Sequence, residues 1–371
     1  MRIKILQQDF LPALQSVSRS VGVKATLPVL ANILLKTHKG KLQLAATNLE
    51  VGVIKLINAN IIEEGEITVP ARTLLEIVSS LTGVEIEIEG VMEQLKISGG
   101  SFNAVLNGIS ASEFPTIPLS SEKSILLDSK VLKQTIPEVS FASAIDEGRP
   151  ILTGILTEIK DKKLEVVATD GFRLAHKTSV VEGADDINFK ALIPRRTLEE
   201  VVRLISEEVG DSDEKIEIST SENQNQIIFK VGNTQLSSRL IEGNFPSWER
   251  IVPKNFLNRS VMERASLLKA VKLASVFTRA EANTIKFQIL DGKIKLLSEA
   301  KELGQQETGI EGQIEGEGIT IVFNSKYLID ALSACSSSQV SFEFSGNLSA
   351  ALIKPLGEEG LEYVIMPIRT S

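Results

Sequence analysis

Two stretches of this chain, LPVLANILLKTHKGKLQLAATN at 27–48 and RPILTGILTEIKDKKLEVVATD at 149–170, are versions of one phrase. Pro28 aligns with Pro150, Leu42 with Leu164 and Thr47 with Thr169, always 122 positions apart and without a gap. A register held so long marks an internal duplication, and a duplication restricts the fold more than any local propensity does. A fainter third copy, NTIKFQILDGKIKLLSEA at 283–300, places Ile285 for Ile155 and Ile294 for Leu164, both 130 apart. A second element repeats as well: ITVPARTLLEIVSSL (67–81), ALIPRRTLEEVVRLI (191–205) and ITIVFNSKYLIDAL (319–332). Each reads as a strand running into a short helix, with apolar residues three and four apart. Dividing the chain by three gives about 124 residues per unit, an ordinary domain size. Proline-marked stretches, EFPTIP at 113–118 and NFPSWERIVP at 244–253, fall where units one and two should end. The expected domains are 1–120, 121–246 and 247–371.

Inside each unit the pattern alternates in kind. A strand opens (RIKIL, SILLD, RSVME) and an amphipathic helix follows (FLPALQSVSRSV, KVLKQTIPEVSFA, SLLKAVKLASVF). Several alternating strands come next, then the strand–helix element, then more strands. This is an α+β class: three repeated domains of mostly antiparallel sheet, with two helices packed on one face of each. Charged tight turns such as THKGK, KDKK and LDGK suit hairpin connections.

Signatures of catalytic chemistry are scarce. There is no phosphate-binding glycine loop, no H-E-x-x-H and no paired C-x-x-C. The two histidines, His38 and His176, are too few for a zinc centre and read as plain surface or strand residues. Cys335, the one cysteine, has apolar neighbours and reads as a core thiol; it excludes an intrachain disulfide framework and suits a reducing cytosol. The Asp-Gly of ATDGFRLA is turn chemistry. Acidic residues bunch in SEEVGDSDEK (206–215), read as a solvated loop. No apolar run approaches the ~18 residues of a membrane helix, and the opening MRIKILQQDF lacks a signal peptide's apolar core. No catalytic residue, metal or cofactor is expected, so the chain reads as a cytoplasmic non-enzyme.

Seven motifs together carry a resemblance. TLPVLANILL, VPARTLLEI, RPILTGIL, VATDGFRLA, IEGNFPSWERIVP, FNSKYLIDAL and the ending YVIMPIR occur in order over nearly the whole length. The chain resembles the bacterial sliding clamps, the β subunits of the replicative DNA polymerase III. That resemblance implies a head-to-tail homodimer closing as a six-domain ring around duplex DNA. It implies a processivity factor without catalysis, which tethers the polymerase α subunit, clamp-loader subunits, other polymerases and repair proteins through a peptide pocket. A net charge of −8 does not oppose this, because a ring retains DNA by topology. What matters is the placing of cations on the proposed inner helices: Arg19, Arg72, Lys130, Lys133, Arg195, Arg196, Arg203, Lys269, Lys272 and Arg279, with Lys24 just beyond. The resemblance singles out Lys24, Arg72 and Arg196 as DNA-facing; Lys24 stands where arginine is frequent, keeping charge but losing the bidentate fork.

Carried over position by position, the pocket comprises Leu152, Thr169, Gly171, Phe172, Arg173 and Leu174 from the second unit. Pro246, Arg250 and Ile251 come from the linker, and Leu348, Ala350, Val364, Met366, Pro367, Ile368 and Arg369 from the third unit. Phe172 occupies a position where the family commonly has histidine. Arg173 and Arg369 would sit at the rim, facing polar or acidic neighbours of an apolar peptide. For the dimer, an edge strand near Leu106 should meet the third unit's helix near Val276 and Phe277. Two other readings stay open: a repeat-built binding scaffold that never encloses nucleic acid, and a hydrolase using scattered carboxylates.

Overall fold

The computed structural model describes the chain except residues 23–26, 121–123, 147, 183–186, 222–224, 279–282, 291, 301–302 and 370–371. Lys24 and Arg279 therefore lie outside the described residues. The first repeat runs β1 (Arg2–Leu6), α1 (Gln7–Ser18), β2 (Asn32–His38), β3 (Lys41–Thr47), β4 (Val51–Ile57), β5 (Asn60–Glu63), β6 (Glu66–Pro70), α2 (Ala71–Ser80), β7 (Glu85–Val91), β8 (Gln94–Gly99) and β9 (Phe102–Asn107). The second runs β10 (Ile125–Asp128), α3 (Ser129–Ser140), β11 (Gly154–Lys160), β12 (Lys163–Thr169), β13 (Arg173–Val180), β14 (Phe189–Pro194), α4 (Arg195–Glu208), β15 (Lys215–Thr220), β16 (Gln226–Val231) and β17 (Thr234–Arg239). The third runs β18 (Asn258–Glu263), α5 (Arg264–Val276), β19 (Thr284–Leu290), β20 (Lys293–Ala300), β21 (Gly304–Ile310), β22 (Gly312–Gly316), β23 (Ile319–Asn324), α6 (Ser325–Ala334), β24 (Gln339–Phe344), β25 (Ala351–Pro355) and β26 (Leu361–Ile365).

The sequence offset survives as a structural one. α3, β11 and β12 begin 122 residues after α1, β2 and β3, and β19 and β20 begin 130 after β11 and β12. The local reasons repeat too. In β7 the sequence EIEIEGV buries Ile86 and Ile88 and turns the glutamates outward, the period of two that half-buried strands show. In α2, Ala71, Leu74 and Val78 form the buried stripe and Arg72 and Glu76 the wet one. At α6 the Asn324 side chain accepts a hydrogen bond from the Lys326 amide, an N-cap. Among the described residues no helix is long and apolar enough to cross a membrane.

The chain folds into two compact units that cut across the repeats. One contains 1–129 and 200–240, the other 130–199 and 241–371. The first holds a five-stranded sheet, β5-β1-β7-β8-β9, and an eight-stranded sheet, β10-β15-β16-β17-β4-β3-β2-β6. The second holds a nine-stranded sheet, β14-β11-β12-β13-β26-β25-β24-β18-β22, and a four-stranded sheet, β21-β20-β19-β23. The cause is visible in the strand order. β4 of repeat one pairs antiparallel with β17 of repeat two, and β13 of repeat two pairs with β26 of repeat three. The same repeat strand is used at both joins, since β13 begins 122 residues after β4. The corresponding strand of repeat three is β21, and the strand of repeat one that corresponds to β17 and β26 is β9. Among the described residues both are sheet edges.

The cores match this division. In the first unit Phe10, Leu14 and Val17 of α1 are buried along with Leu74 and Val78 of α2. In the second, Phe287, Phe323, Phe342 and Phe344 form an aromatic cluster, with Phe287 and Phe342 stacked 5.4 Å apart. Cys335 is buried as expected, and burial pushes its thiol up to about 11. The acidic stretch 206–215 departs from the solvated-loop expectation. α4 extends through Glu208, whose carboxylate is nearly buried between Lys55 Nζ and Thr234 Oγ1.

Candidate functional site

Within the second unit, sheet register brings apolar side chains from six strands and the linker onto one face. Leu156 lies opposite Val167 and Leu192, Leu174 opposite Thr169 and Val364, and Val364 opposite Leu352. These residues form one buried cluster with Trp248, edged by half-buried Ile151, Ile241, Phe245, Val252 and Ala350. Close in the chain to these residues, four large apolar side chains remain open to water: Phe172 (54% exposed), Ile251 (40%), Leu348 (59%) and Met366 (38%). Leu152, Pro367 and Ile368 are half-buried, and Pro246, Arg250 and Arg369 exposed. Strand β26 is fixed against the 169–173 turn where the Met366 amide donates to the Phe172 carbonyl at 2.9 Å; the Ile368 amide donates to the Val322 carbonyl at 2.8 Å. Of the sequence-derived positions, Leu174 and Val364 belong to this apolar surface and Ala350 edges it. Leu156, Val167, Leu192, Trp248 and Leu352 of its floor were missed, because alternation marks a buried face without saying what lies beyond it.

The ATDGFR turn is built from its own side chains. Thr169 Oγ1 donates to the Arg173 carbonyl at 2.6 Å and accepts from the Gly171 amide at 3.0 Å. Asp170 Oδ1 accepts from the amides of Phe172 and Arg173 at 2.9 and 3.0 Å. Gly171 has φ +91°, a backbone shape other residues adopt at a cost. The turn holds Phe172 outward, and Arg149, hydrogen-bonded to the Asp170 carbonyl at 2.9 Å, lies 5.9 Å from its ring.

Arg173 corrects the expectation of a rim cation. It is buried, bonded to Asp170 Oδ2 at 3.1 Å, to Asp330 Oδ2 at 2.6 Å and to the Phe141 carbonyl at 2.7 Å. The rings of Tyr327 and Phe141 lie 4.7 and 5.3 Å from its guanidinium. A guanidinium removed from water requires such pairing, and here it ties the turn to α6. Arg173→Ala should lower the unfolding free energy of this unit by about 3–5 kcal/mol, by leaving two carboxylates unpaired. Urea denaturation of the native protein and the variant measures it, and Arg173→Lys should recover only part of the loss.

His176 is a strand residue as expected, but not a surface one. It is buried in the middle of β13, with Nδ1 3.0 Å from Glu362 and Nε2 3.2 Å from Glu165. Its ring lies 4.3 Å from that of Trp248. Burial opposes its protonation, but the two carboxylates prevail and raise its pKa above the ordinary histidine value.

Family models described as the N-terminal, central and C-terminal domains of the DNA polymerase III beta subunit match residues 1–118, 126–247 and 249–369. The chain belongs to the DNA polymerase III beta subunit family. It is 31% identical to the beta sliding clamp of Synechocystis sp., over 100% of this chain and 99% of that protein. It is 30% identical to the beta sliding clamp of Staphylococcus aureus, over 100% of both. Among solved structures, the DNA polymerase sliding clamp of Bacillus subtilis superposes with a TM-score of 0.95 at 27% identity, covering 100% of both chains. A Pseudomonas aeruginosa sliding clamp bound to griselimycin superposes with a TM-score of 0.93 at 30% identity, again over 100% of both.

In this beta-subunit chain the helix cations are laced to carboxylates. Arg72 is exposed on α2 and pairs with Glu76 at 3.0 Å; Arg196 is exposed on α4. Arg195 pairs with Glu199 at 2.7 Å, Arg203 with Glu200 and Glu207, and Arg19 with Glu207 at 3.8 Å. The i, i+4 spacings were readable in the sequence, but counting cations alone passed over them. On the sheet edges, Leu106 lies on β9 and is half-buried. At the end of α5, Val276 is exposed, while Phe277, taken as the exposed anchor, is the half-buried C-cap residue. Leu273, one turn earlier, is 51% exposed.

Proposed function

We propose that this chain is a sliding clamp, a non-catalytic processivity factor that closes as a head-to-tail homodimer around duplex DNA and tethers the replicative polymerase. One observation carries the reading. The two interior joins, β4–β17 and β13–β26, use the same pair of repeat strands, and the third such pair, β21 and β9, consists of two edge strands of one chain. Two copies arranged head to tail satisfy both edges twice and leave neither β9 nor β21 open, which is the condition for a closed ring. Three domains, 1–120, 121–246 and 247–371, are the repeating parts of this scheme, and six of them form the ring.

Lys24, Arg72 and Arg196 are proposed to face DNA, with contacts weak and sequence-independent because neighbouring carboxylates share part of the charge. Leu106 and the end of α5, with Val276 and Phe277, are proposed to lie at the subunit junction. The apolar surface around Leu174, Val364 and Met366 is proposed as the groove for a short apolar peptide carried by the polymerase α subunit, the clamp loader, other polymerases and repair proteins in the cytoplasm. The griselimycin-bound Pseudomonas clamp supports a ligand-binding groove in proteins of this shape.

The test is retention on DNA. Loaded with a clamp loader and ATP onto nicked circular plasmid, the protein should stay bound at salt that strips proteins held by phosphate contacts, and should leave when the plasmid is linearised. Release from intact circles at the same rate as from linear DNA would reject the ring.

A further inference from the structure

The linker turn Trp248–Arg250 carries the groove residues Arg250 and Ile251, and Trp248 is its only buried member. The side of Trp248 that meets the sheet meets His176, with ring centroids 4.3 Å apart at 40°. Both nitrogens of that histidine are committed. Glu362 approaches Nδ1 at 3.0 Å from β26, and Glu165 approaches Nε2 at 3.2 Å from β12; Thr178 Oγ1, on β13 itself, also lies 3.2 Å from Nε2. A neutral imidazole has one N–H and can donate to only one of the two carboxylates, whereas an imidazolium donates to both. The charged ring is also the better partner for an indole face.

We propose that His176 is a positioning residue for the groove, its imidazolium holding Glu165 and Glu362 together as the platform on which Trp248 seats the Arg250–Ile251 turn. The inference rests on the groove reading above. Other charges around the platform are Lys163 and Lys190, which act on Glu165, Glu249 beside Lys190, and Lys354, Glu358 and Glu359, which line the cleft next to His176. His176 is raised in the folded protein, so its contribution is complete below the unfolded histidine value near 6.5 and is lost as pH rises through the folded value.

Trp248 is the chain's one tryptophan, so its fluorescence reports this platform without any peptide. In the native dimer, raising the pH from 6 to 9 should shift Trp248 emission in a single step. Affinity for a dye-labelled polymerase peptide should fall about fivefold across the same step, the worth of one cation–π contact. His176→Phe keeps a ring under Trp248 without charge, and should abolish both the step and the pH dependence of binding. Glu362→Gln should move the step to lower pH, and serves if the phenylalanine variant fails to fold. His38→Gln, at the exposed end of β2, should leave both profiles as they are. A native protein with no emission step, or a step and affinity profile that persist in His176→Phe, overturns the proposal. A native dimer that shows the emission step but binds no peptide overturns the groove reading instead.

Discussion

Leu273→Asp combined with Val276→Asp should turn the native dimer into monomers at micromolar concentration, raising the dissociation constant at least 100-fold. Both side chains are about half exposed on the last turns of α5, and α5 packs on β20 and on the open edge β21. A chain that remained single would present two large apolar residues beside an unpaired strand, the arrangement that favours association. Each aspartate would have to be desolvated in the junction without a partner, and ~3 kcal/mol from the pair corresponds to the stated factor. Because neither residue is in the core, the urea midpoint of the monomer's second unit should move little. Sedimentation velocity decides the matter. A double variant that still runs as the native dimer would place the junction somewhere else.

Phe172→Ala with Met366→Ala should weaken binding of a polymerase-derived peptide about 30-fold or more while leaving the dimer intact. The two residues are exposed, so their truncation removes little of the fold's own packing. Yet they are locked together through the Met366 amide and the Phe172 carbonyl, at the border of the cluster formed by Leu174, Val364 and Trp248. Anchors of this type, rigid at the base and open above, carry an interface's energy, and ~2 kcal/mol for the pair gives the factor. Calorimetry on native and doubly substituted dimers measures it. Equal affinities would remove the groove from this face of the sheet.

The two-helix, antiparallel plan was legible because the repeat is gapless. α3 begins 122 residues after α1, and β12 begins 122 after β3, as Thr169 after Thr47 requires. The joins between repeats were not legible. Alternation in β4 or β13 states which face is buried and is silent about which strand lies alongside, and β13 meets a strand nearly 190 residues away. Arg173 was misplaced for a related reason: its partner Asp330 is 157 residues distant, and nothing local announces that an arginine after Gly-Phe will be buried. The Glu165–His176–Glu362 row depends on register across three strands. In the sequence it is one histidine and two scattered glutamates.

For the ring proposed above, the equivalence of interior joins and free edges implies where it opens. Strand pairing at β4–β17 and β13–β26 is held by covalent linkers, so a broken join re-forms at the millimolar effective concentration of tethered partners. β9 and β21 enjoy no such tether, and their re-formation depends on the cellular concentration of a second chain. Seams of like chemistry thus differ in persistence through connectivity alone, and the gate needs no weaker contacts of its own: it lies at the join that no covalent linker spans.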